Sequence, residues 1–354
     1  MVFGGVFTNE VEIAGFRKSL IEWFEREGVS YPWRETTDPY AILVSELMLQ
    51  QTQIATVLGK GYYRRWMERF PDWQSLAGAD EQELLKAWEG LGYYNRARNL
   101  QKAARSVVSD FGGRFPSSYE SILGLPGVGP YTAGAVMSFA FDKKAAIVDG
   151  NVLRVLSRIF AYEEPVDTPA SGRFFWSSAD RLTPSRQVRL YNSAIMELGQ
   201  RVCTRSSPFC GSCPVQSHCR AYAGGLTSRL PLKKRRVETV LKEEHVGIAM
   251  EKGRILLTKE EGSRRRGMTR LPELCGQSWG DHVELFRFDY AITKYKVSLR
   301  VHQLPLPETA SIMASGKGEW YSFSDLEALP PMGAPYLKAI RKYQNLHDEL
   351  NLSS

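Results

Sequence analysis

The sequence predicts a mainly α N-terminal region over residues 8–223, a linker over 224–237 and a smaller α+β region over 238–354, on three observations. Apolar residues recur at helical spacing through the first 200 positions. Between Gly224 and Arg236, GGLTSRLPLKKRR shifts to glycine, proline and basic residues, as interdomain linkers do. Beyond it come the short strand-like runs HVGIAM, RILLTK, VELFRFDY and YKVSLRVHQL, the first two separated by a turn at 251–253. At 43% hydrophobic and 24% charged, the 354-residue chain has the composition of a soluble globular protein. Residues 1–223 hold 25 Lys and Arg against 23 Asp and Glu, and the remainder 21 against 16, so +5 of the net +7 lies beyond Ala223. The sign suits a polyanionic partner. No apolar run approaches the roughly 18 residues that span a bilayer, and MVFGGVFTNEVE lacks the basic and apolar segments of a secretion signal, so a cytoplasmic protein with no membrane partner is expected.

The elements follow in order. Residues 8–28 read as a helix with Val11, Phe16, Leu20, Ile21 and Phe24 on its apolar side. YPWRETTDPY is a loop, punctuated by Pro32 and Pro39. AILVSELMLQQTQIATVLGKGYYRRWMERF reads as one long helical stretch, with Leu43, Leu47, Ile54 and Val57 or Leu58 near a period of 3.6. Glu46, Gln50 and Gln53 share another stripe of it. An acid and two amides beside Leu47 and Met48 are costly to bury without a purpose, although Glu46 alone fits a solvated helix position. Residues 162–200 are helical again, with Trp176, Leu182, Leu190, Ile195 and Leu198 as core. A last helix covers 335–350, and Cys275 reads as a buried thiol.

The chain is organised around LPGVGPYTAGAVMSFAFDKKAAIVDGNVLRVLSR, residues 125–158. Gly127 and Gly129 flank Val128, so both can take positive φ and bring backbone close to a ligand. Pro130 suits the first position of the helix that follows. The uncapped N–H groups and the positive end of the helix dipole then favour an anion. An ordinary helix connection with a glycine cap would look the same. Asp149 stands just before Val152, Val155, Leu156 and Ile159, an apolar stripe at i, i+3, i+4 and i+7. It reads either as an N-cap or as a catalytic carboxylate kept ionised by the helix terminus.

Cys203, Cys210, Cys213 and Cys219 lie within seventeen residues at C-x6-C-x2-C-x5-C. In a reducing compartment such crowding means metal rather than disulfides. Zinc and iron-sulfur clusters both take four thiolates, but zinc ribbons offer two C-x2-C knuckles and this chain has one. Arg201, Arg205 and Arg220 flank the motif within reach of phosphates.

LPGVG with VDGNV resembles the helix-hairpin-helix, Gly/Pro loop and aspartate of the DNA glycosylase superfamily that includes endonuclease III. SELMLQQTQ followed by GLGYYNRARNL resembles its adenine DNA glycosylase (MutY) family closely. The resemblance implies a helix-hairpin-helix glycosylase fold and a 4Fe-4S cluster on the four cysteines. It makes Glu46 the general acid at adenine and places Gln51, Thr52, Leu91 and Tyr93 on the base left opposite, with Tyr93 wedged into the stack. The Gly127-Val128-Gly129 turn would bind DNA. The region beyond the linker would be the Nudix-like domain that recognises 8-oxoguanine, with the hydrolase box absent after Gly276. Where the family carries Phe-Ser/Thr-His, this chain has Ile292, Thr293 and Lys294, which puts Lys294 at the lesion. The implied partner is double-stranded DNA with an adenine:8-oxoguanine or adenine:guanine mispair, bound by a monomer in a bacterial cytosol.

Cleaving an N-glycosidic bond calls for one carboxyl that donates a proton and one that stays charged, as in glycoside hydrolysis. Desolvation is expected to raise the Glu46 pKa, and the helix N-terminus to lower that of Asp149. The target base must first be flipped out of the duplex. Before Thr132, endonuclease III-like enzymes carry a lysine that forms a Schiff base, whereas this chain has Tyr131, so a monofunctional glycosylase is expected. Tyr131 and Asn151 would position sugar or water. Arg34 would touch the flipped base or its phosphate. Lys143 and Lys144 leave room for adventitious strand cleavage. Three rivals remain: a glycosylase/lyase for oxidised pyrimidines, which Tyr131 opposes; a catalytically silent damage-binding protein, which would need neither Glu46 nor Asp149; and, more distantly, a zinc-stabilised transcription factor.

Overall fold

The computed structural model describes residues 7, 9–234, 238–262, 265–274 and 282–352, so Cys275 lies outside the described residues. It falls into two compact units. The first holds residues up to Ile54, Asp72–Ala77 and Asn99–Arg236; the second holds Ala55–Pro71, Gly78–Arg98 and Val237–Ser354. This division differs from the boundary expected near the linker, because the segment 78–98 is bonded into the C-terminal region. Lys86 Nζ donates to the Leu329 carbonyl at 2.8 Å, Tyr94 Oη to that of Met332 at 3.2 Å, and the Met332 N–H to Glu89 Oε1 at 3.0 Å.

The first unit is helical. Its opening helix, Glu10–Glu27, is capped by Asn9 and buries Ile13, Phe16, Leu20 and Trp23. Val11, expected on the apolar side, is instead exposed, while Ile21 and Phe24 are half-buried against the core. Those side chains pack with Val152, Val155, Leu156 and Ile159 of the Gly150–Ile159 helix, and with Phe175, Leu182, Ile195 and Leu198. The expected stripe at 152–159 is thus the core-facing one. Trp176 and Leu190 are half-buried rather than core.

The long helix expected from residue 41 is broken. Pro39–Leu49 is one helix, capped by Asp38, with Tyr40 through Met48 all buried. Gln51 then takes the left-handed conformation at φ 60°, and shorter helices Ile54–Gly59 and Tyr62–Arg69 follow. Glu46, Gln50 and Gln53 therefore do not share a helical face. The hairpin itself is Tyr119–Leu123, a turn, and Pro130–Phe141. The Pro130–Phe141 helix packs against the Pro39–Leu49 helix. Its Gly134 lies so near the Ala146 carbonyl that a Cβ would stand 2.3 Å from the oxygen.

Linker residues are not free chain. The Val166 N–H donates to the Leu232 carbonyl at 3.0 Å, Lys234 N–H to Asp167 Oδ1 at 2.9 Å, and Leu230 is buried.

In the second unit, Val240–Ile248 pairs parallel with Tyr295–Gln303, which pairs antiparallel with Glu284–Ile292. A second sheet joins Met250–Glu251, Arg254–Lys259, Thr269–Arg270 and Gly318–Ser322. The C-terminal helix, Ala334–Leu352, puts Tyr336, Ala339 and Ile340 into a core with Val246, Ile255, Leu257, Leu299 and Val301. The strand Gly318–Ser322 and the helix Leu306–Ala314 carry too weak a pattern to be foreseen in the sequence. Among the described residues no helix is long and apolar enough to cross a membrane.

Candidate active site

Two carboxyls and a phenol meet in the first unit. Glu46 is 5% exposed on a helix buried all round, which rules out the solvated reading of its position. Tyr131, on the first turn of the Pro130–Phe141 helix, donates from its hydroxyl to Glu46 Oε2 at 2.8 Å. Burial raises the Glu46 pKa to about 7; the nearby Asp149 charge adds to this, while the Tyr131 bond and Arg34 oppose it. The Tyr131 hydroxyl is held well above its ordinary range, first by burial and then by the Glu46 and Asp149 charges, so it remains a donor.

Asp149 is the N-cap of the Gly150–Ile159 helix. Its Oδ1 accepts from the N–H groups of Asn151 (2.9 Å) and Val152 (2.7 Å), and its Oδ2 from Asn151 Nδ2 (3.0 Å). The cap expected from sequence is observed, and the same carboxyl acts electrostatically on Glu46. Its pKa, however, is raised rather than lowered: burial outweighs the three hydrogen bonds and Arg154. The two acids still differ in kind. Among the described residues three donors meet the Asp149 carboxyl, and one, a phenol, meets Glu46. Asn151 also accepts, through its Oδ1, from Arg154 Nη2 at 2.9 Å.

Glu46 lines a narrow, open cleft together with Tyr31, Trp33, Arg34, Ser193 and Gln200. Arg34 is pinned: Nη1 donates to Glu197 Oε2 and to the Val29 carbonyl, both at 2.7 Å, and its guanidinium lies 4.7 Å from the Tyr31 ring centroid. Sequence reading missed Glu197, which is wholly buried between Arg34 and Arg201. Its i, i+4 spacing to Arg201 is visible in the chain, but the partner 163 residues away is not.

The hairpin turn departs from expectation in one glycine. Gly127 has φ 77° and would bring a Cβ to 2.5 Å from that of Asn99, whereas Gly129 is an extended N-cap at φ −100° with open space around it. Val128 is buried, so its contribution to a ligand would come from backbone. Among the described residues no side chain caps this helix. Lys143 donates to the Ser117 carbonyl and Lys144 pairs with Asp180.

Gln51 and Thr52 follow the Glu46 helix in the first unit; Gln51 is exposed, and the Thr52 N–H donates to the Leu49 carbonyl at 3.3 Å. Leu91 and Tyr93 belong to the second unit. There Tyr93, at φ 49°, is 48% exposed while Tyr94 and Leu91 are buried. Arg96 steadies the turn, donating to the Leu91 and Gly92 carbonyls at 2.8 and 3.0 Å. Lys294 occupies the two-residue turn between Glu284–Ile292 and Tyr295–Gln303, its ammonium 5.5 Å from the Tyr295 ring centroid.

All four cysteines line one cavity with Val155, Ile159, Leu198, Val202 and Val215. Arg158, 1% exposed, donates to Cys203 Sγ at 3.3 Å and to the Thr204, Arg205 and Leu230 carbonyls. Arg154 Nε donates to the Cys203 carbonyl at 2.7 Å. Burial pushes the Cys213 thiol up to about 12 and raises that of Cys219. Four thiols in an apolar cavity with a cation on one sulfur are a donor set for a soft metal cluster. Among the described residues no three His, Cys, Asp or Glu converge as on a single ion.

Residues 44–175 match the HhH-GPD superfamily of base excision DNA repair proteins. Several proteins described as adenine DNA glycosylase are similar to this chain. That of Buchnera aphidicola subsp. Baizongia pistaciae is 34% identical over 248 residues, covering 70% of both chains. That of Mycolicibacterium smegmatis is 40% identical, covering 58% of this chain and 69% of the relative. That of Mus musculus is 45% identical over 227 residues, 61% of this chain and 44% of the relative. The chain thus spans less than half the length of the mammalian relatives it matches. Among solved structures, a thermostable thymine-DNA glycosylase is 32% identical with a TM-score of 0.55, covering 61% of this chain and 98% of that one. An endonuclease III–DNA complex, 23% identical with a TM-score of 0.52 over 62% of this chain and 99% of that one, shares the fold.

Proposed function

Because the chain belongs to the adenine DNA glycosylase family, we propose that it is a monofunctional glycosylase removing adenine mispaired with 8-oxoguanine or guanine in base excision repair. The observation that carries the reading is Glu46, whose pKa burial raises to about 7, electrostatically coupled to Asp149, whose carboxyl oxygens accept from three donors. Adenine flipped into the cleft would receive the Glu46 proton, which makes it a leaving group. Asp149 would then face the cationic sugar, stabilising or transiently bonding it. Tyr131, where a lyase would need an amine, keeps the Glu46 carboxyl oriented and supplies no Schiff-base nucleophile.

DNA would be gripped by backbone at Gly127, Val128 and Gly129, where an uncapped helix N-terminus favours phosphate. Gln51, Thr52 and the Leu91–Tyr93 turn would hold the opposite base, the exposed Tyr93 entering the stack. The second unit, read as a Nudix-like domain, would present Lys294 to 8-oxoguanine. Cys203, Cys210, Cys213 and Cys219 would hold a 4Fe-4S cluster, which when bound supplies a thiolate cross-link that fixes the loop. Arg158 already supplies the donor to Cys203 that such a thiolate would keep.

The test is single-turnover cleavage of duplexes with adenine opposite 8-oxoguanine, guanine or thymine, by the native protein and Asp149→Asn, read with and without alkali. Strand breaks only after alkali, fastest opposite 8-oxoguanine and lost in the variant, are expected. Breaks without alkali at the same rate would replace the reading with a lyase. No base release despite tight binding would leave a damage-binding protein.

A further inference from the structure

We propose that Glu197 is a positioning residue for this site: it fixes the Arg34 guanidinium in the cleft wall and balances its charge beside Glu46. The inference rests on the glycosylase reading above for its consequence in catalysis, but its geometry stands alone. Glu197 ends the Val188–Glu197 helix with no side-chain exposure, and does not itself line the cleft. Its Oε2 takes Arg34 Nη1 at 2.7 Å and its Oε1 takes Arg201 Nη1 at 3.1 Å. Arg34 is further held by the Val29 carbonyl and by the faces of Tyr31 and Phe24, at 4.7 and 5.2 Å from their centroids. A carboxylate buried to this degree is costly, and packing alone would be met by an apolar side chain.

The placement matters because Arg34 and Glu46 share the cleft. A cation there favours the ionised form of Glu46, the wrong state for an acid. The groups that face Glu46 are the Tyr131 hydroxyl and Asp149 from the hairpin and the helix after it, and Arg34 from the loop before its own helix; Tyr31 and Arg189 also line the cleft. Behind Arg34 stands one anion, Glu197. With its charge removed, Arg34 acts on Glu46 undiminished, and Glu46 gives up its proton at lower pH.

Two readouts test this on the full chain. The first is the alkaline limb of the single-turnover rate on the adenine:8-oxoguanine duplex. The second uses no substrate: the pH at which the native protein loses melting temperature relative to Glu46→Gln, measured in each background. In Glu197→Gln both should move down by about one pH unit, a usual size for a neighbouring opposite charge, with a roughly tenfold slower rate at pH 8. Arg34→Met should move both upward, and adding Glu197→Gln to Arg34→Met should cause no further shift. Folded Glu197→Gln or Arg34→Met proteins whose limbs coincide with the native one would overturn the proposal, as would a double variant showing the Glu197→Gln shift in full. If no base is released, the rate is lost with the glycosylase reading, yet the melting readout still decides the role of Glu197.

Discussion

At the scale of single residues, the pKa of Glu46 makes two predictions with opposite pH sense. As an acid raised to about 7 by burial, Glu46 is protonated and useful below that value, so base release should fall as pH rises through about 7. The same shift bears on stability. A carboxyl whose folded pKa exceeds its unfolded one favours the folded state below the unfolded value, and that contribution is lost as pH rises through the folded value. Glu46→Gln should therefore melt higher than the native protein at pH 8 and not at pH 4, while losing activity at both; a Glu46→Gln protein no more stable at pH 8 would show the carboxyl to be solvated. Asn151 gives a graded counterpart. Asn151→Ala removes one of three donors to Asp149 and frees Arg154 Nη2 from its Oδ1. A hydrogen bond to a charged group is worth about 1.5–3 kcal/mol, so single-turnover rates should fall roughly ten- to a hundredfold, short of the loss in Asp149→Asn. An unchanged rate would mean that the helix N–H groups alone suffice.

At the scale of elements, the two hairpin glycines should behave differently, although the sequence makes them look alike. Gly127→Ala sets a Cβ 2.5 Å from that of Asn99 on a backbone at φ 77°, a strain of about 1–3 kcal/mol. Gly129→Ala meets nothing within 4 Å at φ −100°. Thermal melts should separate the two clearly, and equal melting temperatures would contradict the turn geometry. The contrast also marks what periodicity can and cannot carry. The stripe at Val152, Val155, Leu156 and Ile159 was legible because that helix has one buried face. The Pro39–Leu49 helix is buried on every side, so its pattern said nothing of where Glu46 points; only the resemblance of SELMLQQTQ did. The break after Leu49 was hidden because Gln51, not glycine, takes the left-handed turn. The four cysteines could be grouped from spacing alone, since their partners are local. Glu197 could not, since its partner Arg34 lies across the fold.

At the scale of the molecule, the second unit is built from three stretches of chain, and this predicts what removal of the C-terminal region does. Residues 55–71 and 78–98 pack with 237–354. Within that unit, Glu89 accepts from the Met332 N–H, Lys86 and Tyr94 donate to the Leu329 and Met332 carbonyls, and Gln82 donates to that of Gly267. Tyr94 is 5% exposed. A chain ending at Arg236 would return the Glu89 carboxylate and the buried Tyr94 phenol to water and leave the Leu91–Tyr93 turn on a helix pair without its supporting core. The first unit keeps its own core of Phe16, Leu20, Val155, Phe175 and Leu198, and so should fold. The truncated chain should therefore show a helical circular-dichroism spectrum and new protease cuts confined to residues 55–71 and 78–98. Its duplex binding should lose the part that depends on Tyr93, so that Tyr93→Ala weakens the full chain but changes the truncated one little. Protection of 55–71 and 78–98 equal to that of the full chain would show that these segments are held by the first unit instead, and would return the boundary between units to the linker.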